Sequence, residues 1–312
     1  MRNIVLVINF DLSYQLKNLN LFDINGQGLI DSLQTYLVYQ KNLPIFERLF
    51  YYIKRKIEIN QNFFIYLSFS GIFLEQTKKI APLFLKELIK ITKNKSIILI
   101  NQNYYQSLSL LFDLPTYQNQ VKKNQDYYLR LFNQKPKIFL ETHTFNEHLV
   151  SFLEEKNFNI LLSSFNSNTQ QNQKKIIFNV WPIEIINEIE QIGVKEKIVL
   201  ASPLLGKQIL ATKDFHLSLI KEITPQLQIN KFFSPKPEIL NFNILQTACL
   251  NNLFSFNDKI KQSKKIKTKK NWNVLQHYSY YQNMTVNNNE SLEYYRRFGF
   301  LLNQLKEGIL ND

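Results

Sequence analysis

The feature that most constrains this chain is an alternation of short apolar runs with longer stretches of helical apolar spacing. Runs at 4–10, 63–69, 97–100, 137–140, 158–162 and 198–201 read as strands, with 176–180 a weaker candidate. Between them, Pro82 opens a helix with apolar spacing at Phe84, Leu88 and Ile91. Pro115 and Thr116 open another, placing Tyr117, Val121, Tyr128 and Phe132 near one face. Asn146 is placed to cap a third over Leu149, Val150 and Leu153, and Pro182 opens a fourth with Ile185, Ile189 and Ile192. Strands separated by helices predict an α/β fold built on a parallel sheet or barrel. After about Pro225 the pattern turns helical, so a β/α domain is expected over 1–225 and a helical C-terminal region over 226–312.

Composition narrows the function classes. Apolar residues make up 45% and charged residues 20% of the 312, which is ordinary for a globular chain. No apolar run reaches the roughly 18 uncharged residues of a membrane span, so no membrane partner is expected. The single cysteine, Cys249, permits no internal disulfide, and together with an N-terminus lacking a signal-peptide cleavage site it points to a reducing cytoplasm. Only 7 glycines occur, and neither GxGxxG nor GxxxxGK[ST] is present, so a nucleotide cofactor is not expected. The net charge of +13 is partly a matter of AT-rich codon usage, which favours Lys, Asn and Ile. Its densest part, residues 259–270 (KIKQSKKIKTKK), is followed by Tyr278, Tyr280 and Tyr281, with Trp272 beside it. This reads better as a solvated helix end and loop than as a nucleic-acid surface.

In a β/α barrel the chemistry belongs at the carboxyl ends of the strands. Those ends are Asp11, residues 70–71, 102–105, 141–143, 163–164 and 201–202, a set short of acids. Residues 68–76 (SFSGIFLEQ) resemble a strand-turn-helix motif S-x-S-G-x-x-L-E-Q of glycoside hydrolase family 57, an α-amylase-like family. Residues 101–111 (NQNYYQSLSLL), 131–163, the Trp181–Pro182 pair and 271–284 (beginning NWNVLQ) resemble further segments of that family, in order. The resemblance implies an incomplete (β/α)7-type barrel followed by a helical region, retaining chemistry on α-glucans of the glycogen or starch type, and no cofactor or metal.

The family's reactive positions are replaced here. The segment matching its His-Gln-Pro motif reads Asp11-Leu12-Ser13, and the histidine of Y-x-H-S-L becomes Gln106. The nucleophilic glutamate falls on His143 and the acid/base aspartate near Ala201, with Gly206 aligned to the motif's glycine. The family's final Asp-His pair falls on Ser279 and Tyr280. A histidine does not readily replace the nucleophile, and alanine supplies no proton. Glu141 is the displaced candidate, two residues before His143 and on the same side of a continuing strand. Asp11 and Gln106 are candidate sugar contacts, and Tyr104, Tyr105 and Trp181 are candidate stacking faces, with core packing the better reading for Trp181. His143 and His148 read as solvated or core histidines rather than a metal site, since their spacing crosses a strand-to-helix turn and no Cys or third His is near. Glu75 and Gln76 match the family motif unchanged and read as residues that orient the turn. The expectation is a relative that is catalytically inactive or severely impaired and either binds α-glucan or maltooligosaccharide or supports a partner enzyme. The alternative is a hydrolase or 4-α-glucanotransferase with displaced carboxylates.

Overall fold

The computed structural model describes residues 2–17, 29–60, 63–142, 147–163, 176–179, 181–182, 196–211, 215–217, 242–282, 284 and 289–310. Its strands are β1 (Arg2–Phe10), β2 (Ile65–Phe69), β3 (Ile97–Gln102), β4 (Ile138–Glu141) and β5 (Ile160–Ser163). They continue as β6 (Ile176–Asn179), β7 (Trp181–Pro182), β8 (Glu196–Ala201) and β9 (Phe215–Leu217). All named pairings are parallel, in the order β6-β5-β4-β3-β2-β1-β8-β7, with β9 beside the start of β1. The two ends of that order, β6 and β7, are separated by one residue of chain, so a trans backbone holds them within about 7 Å. The sheet therefore curls into an incomplete β/α barrel. From Phe242 onward every described element is a helix.

Strand side chains alternate between two apolar layers, as the period of 2 requires. Val5, Val7, Tyr66, Ile100, Ile138, Leu140, Leu162 and Ile198 form one cluster drawn entirely from strands, which is the filled barrel lumen. Their neighbours point the other way. Leu6, Ile8, Phe10, Leu67, Phe69, Leu99, Val199 and Ala201 pack outward against the helices, and Phe139 and Leu161 do the same elsewhere. Phe10 sits at the centre of this outer layer, 5.0 Å from the ring of Phe69 and 5.3 Å from that of Phe73. Burying each such ring contributes about 1.5–3 kcal/mol.

The helices expected at Pro82 and Pro115 are present as Pro82–Ile91 and Leu114–Phe132, each with proline in its first turn. The third is Glu147–Glu155, burying Leu149 and Leu153. The fourth, over 183–192, lies outside the described residues. A long helix, Ser32–Ile59, covers β1 through Tyr39, Phe46, Leu49, Phe50 and Ile53, with Asp31 capping its start. Helix Leu114–Phe132 supports the ends of β2 and β3. Its buried Tyr128 hydroxyl accepts from the Phe69 N–H at 2.7 Å and donates to the Ile100 carbonyl at 2.9 Å. Asn124 Nδ2 reaches the Gln102 carbonyl at 3.0 Å. These bonds satisfy backbone groups where the strand ladders stop.

Candidate functional site

The SFSGIFLEQ segment folds as its residues dictate. Ser70 caps helix Gly71–Ile80 by accepting from the Phe73 N–H at 3.1 Å. Gly71 is required because a Cβ there would lie 2.1 Å from the ring of Tyr104. Gln76 Nε2 donates to the Leu12 carbonyl at 3.0 Å, fixing the chain just after β1. Glu75 accepts from the Tyr104 hydroxyl at 2.6 Å and the Tyr14 hydroxyl at 2.7 Å, with Lys270 Nζ at 3.3 Å. Burial alone would raise its pKa. The two hydroxyls and the ammoniums of Lys270 and Lys123 outweigh it and hold the carboxyl below the ordinary range. The same burial, with the Glu75 charge beside it, pushes the Tyr104 and Tyr14 hydroxyls upward, so both remain protonated donors.

A short backbone pairing brings the C-terminal region to the barrel mouth. Ser107 and His277 form an antiparallel bridge, the Leu108 N–H donates to the Gln276 carbonyl at 3.2 Å, and the Tyr278 N–H donates to that of Gln106 at 3.0 Å. His277 is thereby carried to Asp11, with Nε2 at 3.2 Å from Oδ2 and an imidazole only 3% exposed. Its Nδ1 accepts the Ser279 N–H at 3.2 Å, which leaves the ring proton on Nε2, facing the carboxylate. Tyr280 donates to the Tyr14 carbonyl at 2.7 Å, and burial, then the Asp11 charge, raise its pKa.

Alternation places Asn9, Ser68 and Gln102 on the lumen side, above Val7, Tyr66 and Ile100. Asn9 and Ser68 are register partners across β1 and β2. Asn9 Oδ1, Ser68 Oγ, Gln102 Nε2 and Gln276 Nε2 are all buried without a protein hydrogen bond. Such groups are few in folded proteins, and several near one barrel mouth mark a place that receives polar partners. Gln106, in the left-handed region at φ 50°, donates its side-chain amide to Gln102 there.

Of the residues singled out from sequence, Asp11 and Gln106 come together at this mouth. Tyr104 and Tyr105 stand beside it but are each 2% exposed, and Lys123 Nζ covers the Tyr104 ring at 3.7 Å. Glu141 does not join them. Leu140 faces the lumen, so Glu141 faces outward, where it is buried and accepts from Tyr117 on helix Leu114–Phe132. Burial and the Glu141 charge push the Tyr117 pKa up. Ala201 is likewise outward, at the register of Ile8 in the apolar layer. His143 lies outside the described residues, as does the side chain of Trp181, whose backbone pairs with Val199. Sequence reasoning passed over His277, although it is one of only 4 histidines and directly follows NWNVLQ, because the motif's Asp-His pair falls at 279 and 280.

The basic segment is partly absorbed into the fold: Lys261 pairs with Asp113 at 3.1 Å and Lys270 with Glu75. Trp272, Tyr280 and Tyr281 are buried, so they offer no open faces for base stacking. Among the described residues no helix is long and apolar enough to cross a membrane, and no group of three metal-ligating side chains is found.

The family model of glycosyl hydrolase family 57 matches residues 12–184, more than half of the chain. The chain belongs to glycosyl hydrolase family 57. Among solved structures it resembles a 4-α-glucanotransferase of Thermococcus litoralis at 11% identity and TM-score 0.62, over 98% of this chain and 60% of that one. It also resembles a family 57 branching enzyme of Thermococcus kodakaraensis, crystallised with glucose, at 8% identity and TM-score 0.64 over 99% and 91%. A branching enzyme of Pyrococcus horikoshii gives 10% identity and TM-score 0.61 over 99% and 94%. At these identities the likeness is one of fold. The chain spans about 60% of the glucanotransferase's length. No curated protein sequence matches it. The family 57 framework motifs thus surround a mouth whose described carboxylate, Asp11, is matched with an imidazole.

Proposed function

We propose that this family 57 chain binds α-glucan chains or maltooligosaccharides at its barrel mouth and does not hydrolyse them. The observation that carries this reading is the placement of Glu141. Retaining hydrolysis needs two carboxyl groups about 5–5.5 Å apart, one of them protonated. Glu141 is turned into the outer layer toward Tyr117, and the aligned acid/base position, Ala201, is packed in that layer too. Glu75 is held ionised by two tyrosine hydroxyls and two lysines, so it is a poor proton donor at neutral pH. Asp11 and Gln106 remain as hydrogen-bonding groups for sugar hydroxyls, alongside the buried amides and hydroxyl of Asn9, Gln102 and Ser68. The active-enzyme alternative, with Glu141 as a displaced nucleophile, requires that carboxylate to reach the lumen side. On this reading the barrel ends near residue 225 and the 226–312 region serves to carry His277 to the mouth.

Calorimetric titration with maltoheptaose tests the proposal. Saturable binding that weakens at least tenfold in Asp11→Ala supports it. Absence of binding by the wild-type chain overturns it.

A further inference from the structure

Apart from the barrel mouth, helices Leu114–Phe132, Asn257–Gln262 and Ile266–Leu275 border an open cleft of about 270 Å³. Lys123, Lys261 and Lys269 line it and no carboxylate does, so two distant stretches of chain converge on one concentration of positive charge. The ammonium of Lys123 donates to the Tyr105 hydroxyl at 2.8 Å and stands over two tyrosine rings. Among the described residues, no carboxylate lies within ion-pair distance of it. Lys261 meets Asp113 at 3.1 Å, and Lys269 Nζ donates to the Lys261 carbonyl at 3.0 Å. An ammonium carries three donors, and each of these contacts uses one. Although the Lys123 side chain is exposed along its length, its ammonium end is packed against the rings. That desolvation, opposed by Glu75 and reinforced by Lys270 and Arg130, lowers its pKa to about 8. A bound anion would relieve this crowding of positive charge.

Tyr105 and Trp272 contribute the aromatic part of the lining and Asn273 an amide. Both rings are buried and give the cleft an apolar wall rather than a stacking face, and an amide suits the hydroxyls of a sugar. The volume falls just below the about 300–1,000 Å³ of ordinary ligand pockets, enough for one ring and a phosphate but not for an extended chain. We propose that this cleft is a second site that binds a phosphorylated monosaccharide, with its phosphate held by Lys123, Lys261 and Lys269.

The test is calorimetric titration of the full chain with three probes: glucose 6-phosphate, glucose and inorganic phosphate. Glucose 6-phosphate is expected to bind saturably and at least tenfold more tightly than either other probe. Lys269→Gln is expected to weaken it at least tenfold with the circular dichroism spectrum unchanged. Should Lys269→Gln unfold its helix, Lys123→Gln on the opposite wall is expected to give the same loss. Glucose binding as tightly as glucose 6-phosphate would overturn the phosphate assignment. Inorganic phosphate binding as tightly would overturn the sugar assignment. Saturation that survives in a folded Lys269→Gln or Lys123→Gln chain, or no saturation at all, would overturn the site.

Discussion

His277 Nε2 stands 3.2 Å from Oδ2 of Asp11, and this contact joins the end of β1 to a helical region more than 260 residues later in the chain. If Asp11 and His277 contact sugar hydroxyls, His277→Ala should weaken maltoheptaose binding by about 1–3 kcal/mol, roughly five- to 150-fold, because it leaves Asp11 without its imidazole. Unchanged affinity in a folded His277→Ala chain would remove this pair from the site.

Glu141 is expected to serve stability. Tyr117→Phe deletes a buried donor to that carboxylate and should cost about 1–3 kcal/mol in urea unfolding. Maltoheptaose affinity should stay the same. A Tyr117→Phe chain of wild-type stability but altered glucan binding would place Glu141 in the site instead.

Gly71→Ala should destabilise the fold by about 1–3 kcal/mol, since the added methyl meets the Tyr104 ring at 2.1–2.4 Å. Shifting that ring would also disturb its bond to Glu75. Equal midpoints for Gly71→Ala and wild type in chemical denaturation would contradict the close approach.

Glu75 sets an acid limit on stability. Its folded pKa lies below the unfolded value, so its stabilisation is full at neutral pH and is lost as pH falls below about 4.5 through the folded value. Wild type should therefore lose stability below about pH 4.5 more steeply than Glu75→Gln does. Parallel pH profiles for the two chains would show that the carboxylate is not held ionised by its tyrosines and lysines.

The strands were legible because lumen and outer layer are both apolar, so each strand reads as a short Val, Ile and Leu run. β7 and β9, at two and three residues, are too short to give a periodic signal. The long helix Ser32–Ile59 is harder to read, with Pro44 in its interior and Leu33, Leu37 and Tyr51 exposed. The family motif led to Glu75, Gln76 and Asp11. It did not show that Glu141 faces outward, because strand parity at a barrel mouth depends on which layer the preceding residues occupy. Nor did it lead to His277, which joins the site through a bridge between residues 170 positions apart that local spacing does not encode.

The most direct test of the central claim is product analysis of maltoheptaose and amylose incubated with the purified chain, scored for both reducing ends and chain-length redistribution. Loss of key members of a catalytic set typically costs several powers of ten in rate. No product above an enzyme-free control is expected from the wild-type chain, and none from Glu141→Gln, while maltoheptaose binding persists in both. Robust cleavage or redistribution by the unmodified chain, abolished in Glu141→Gln, would contradict it.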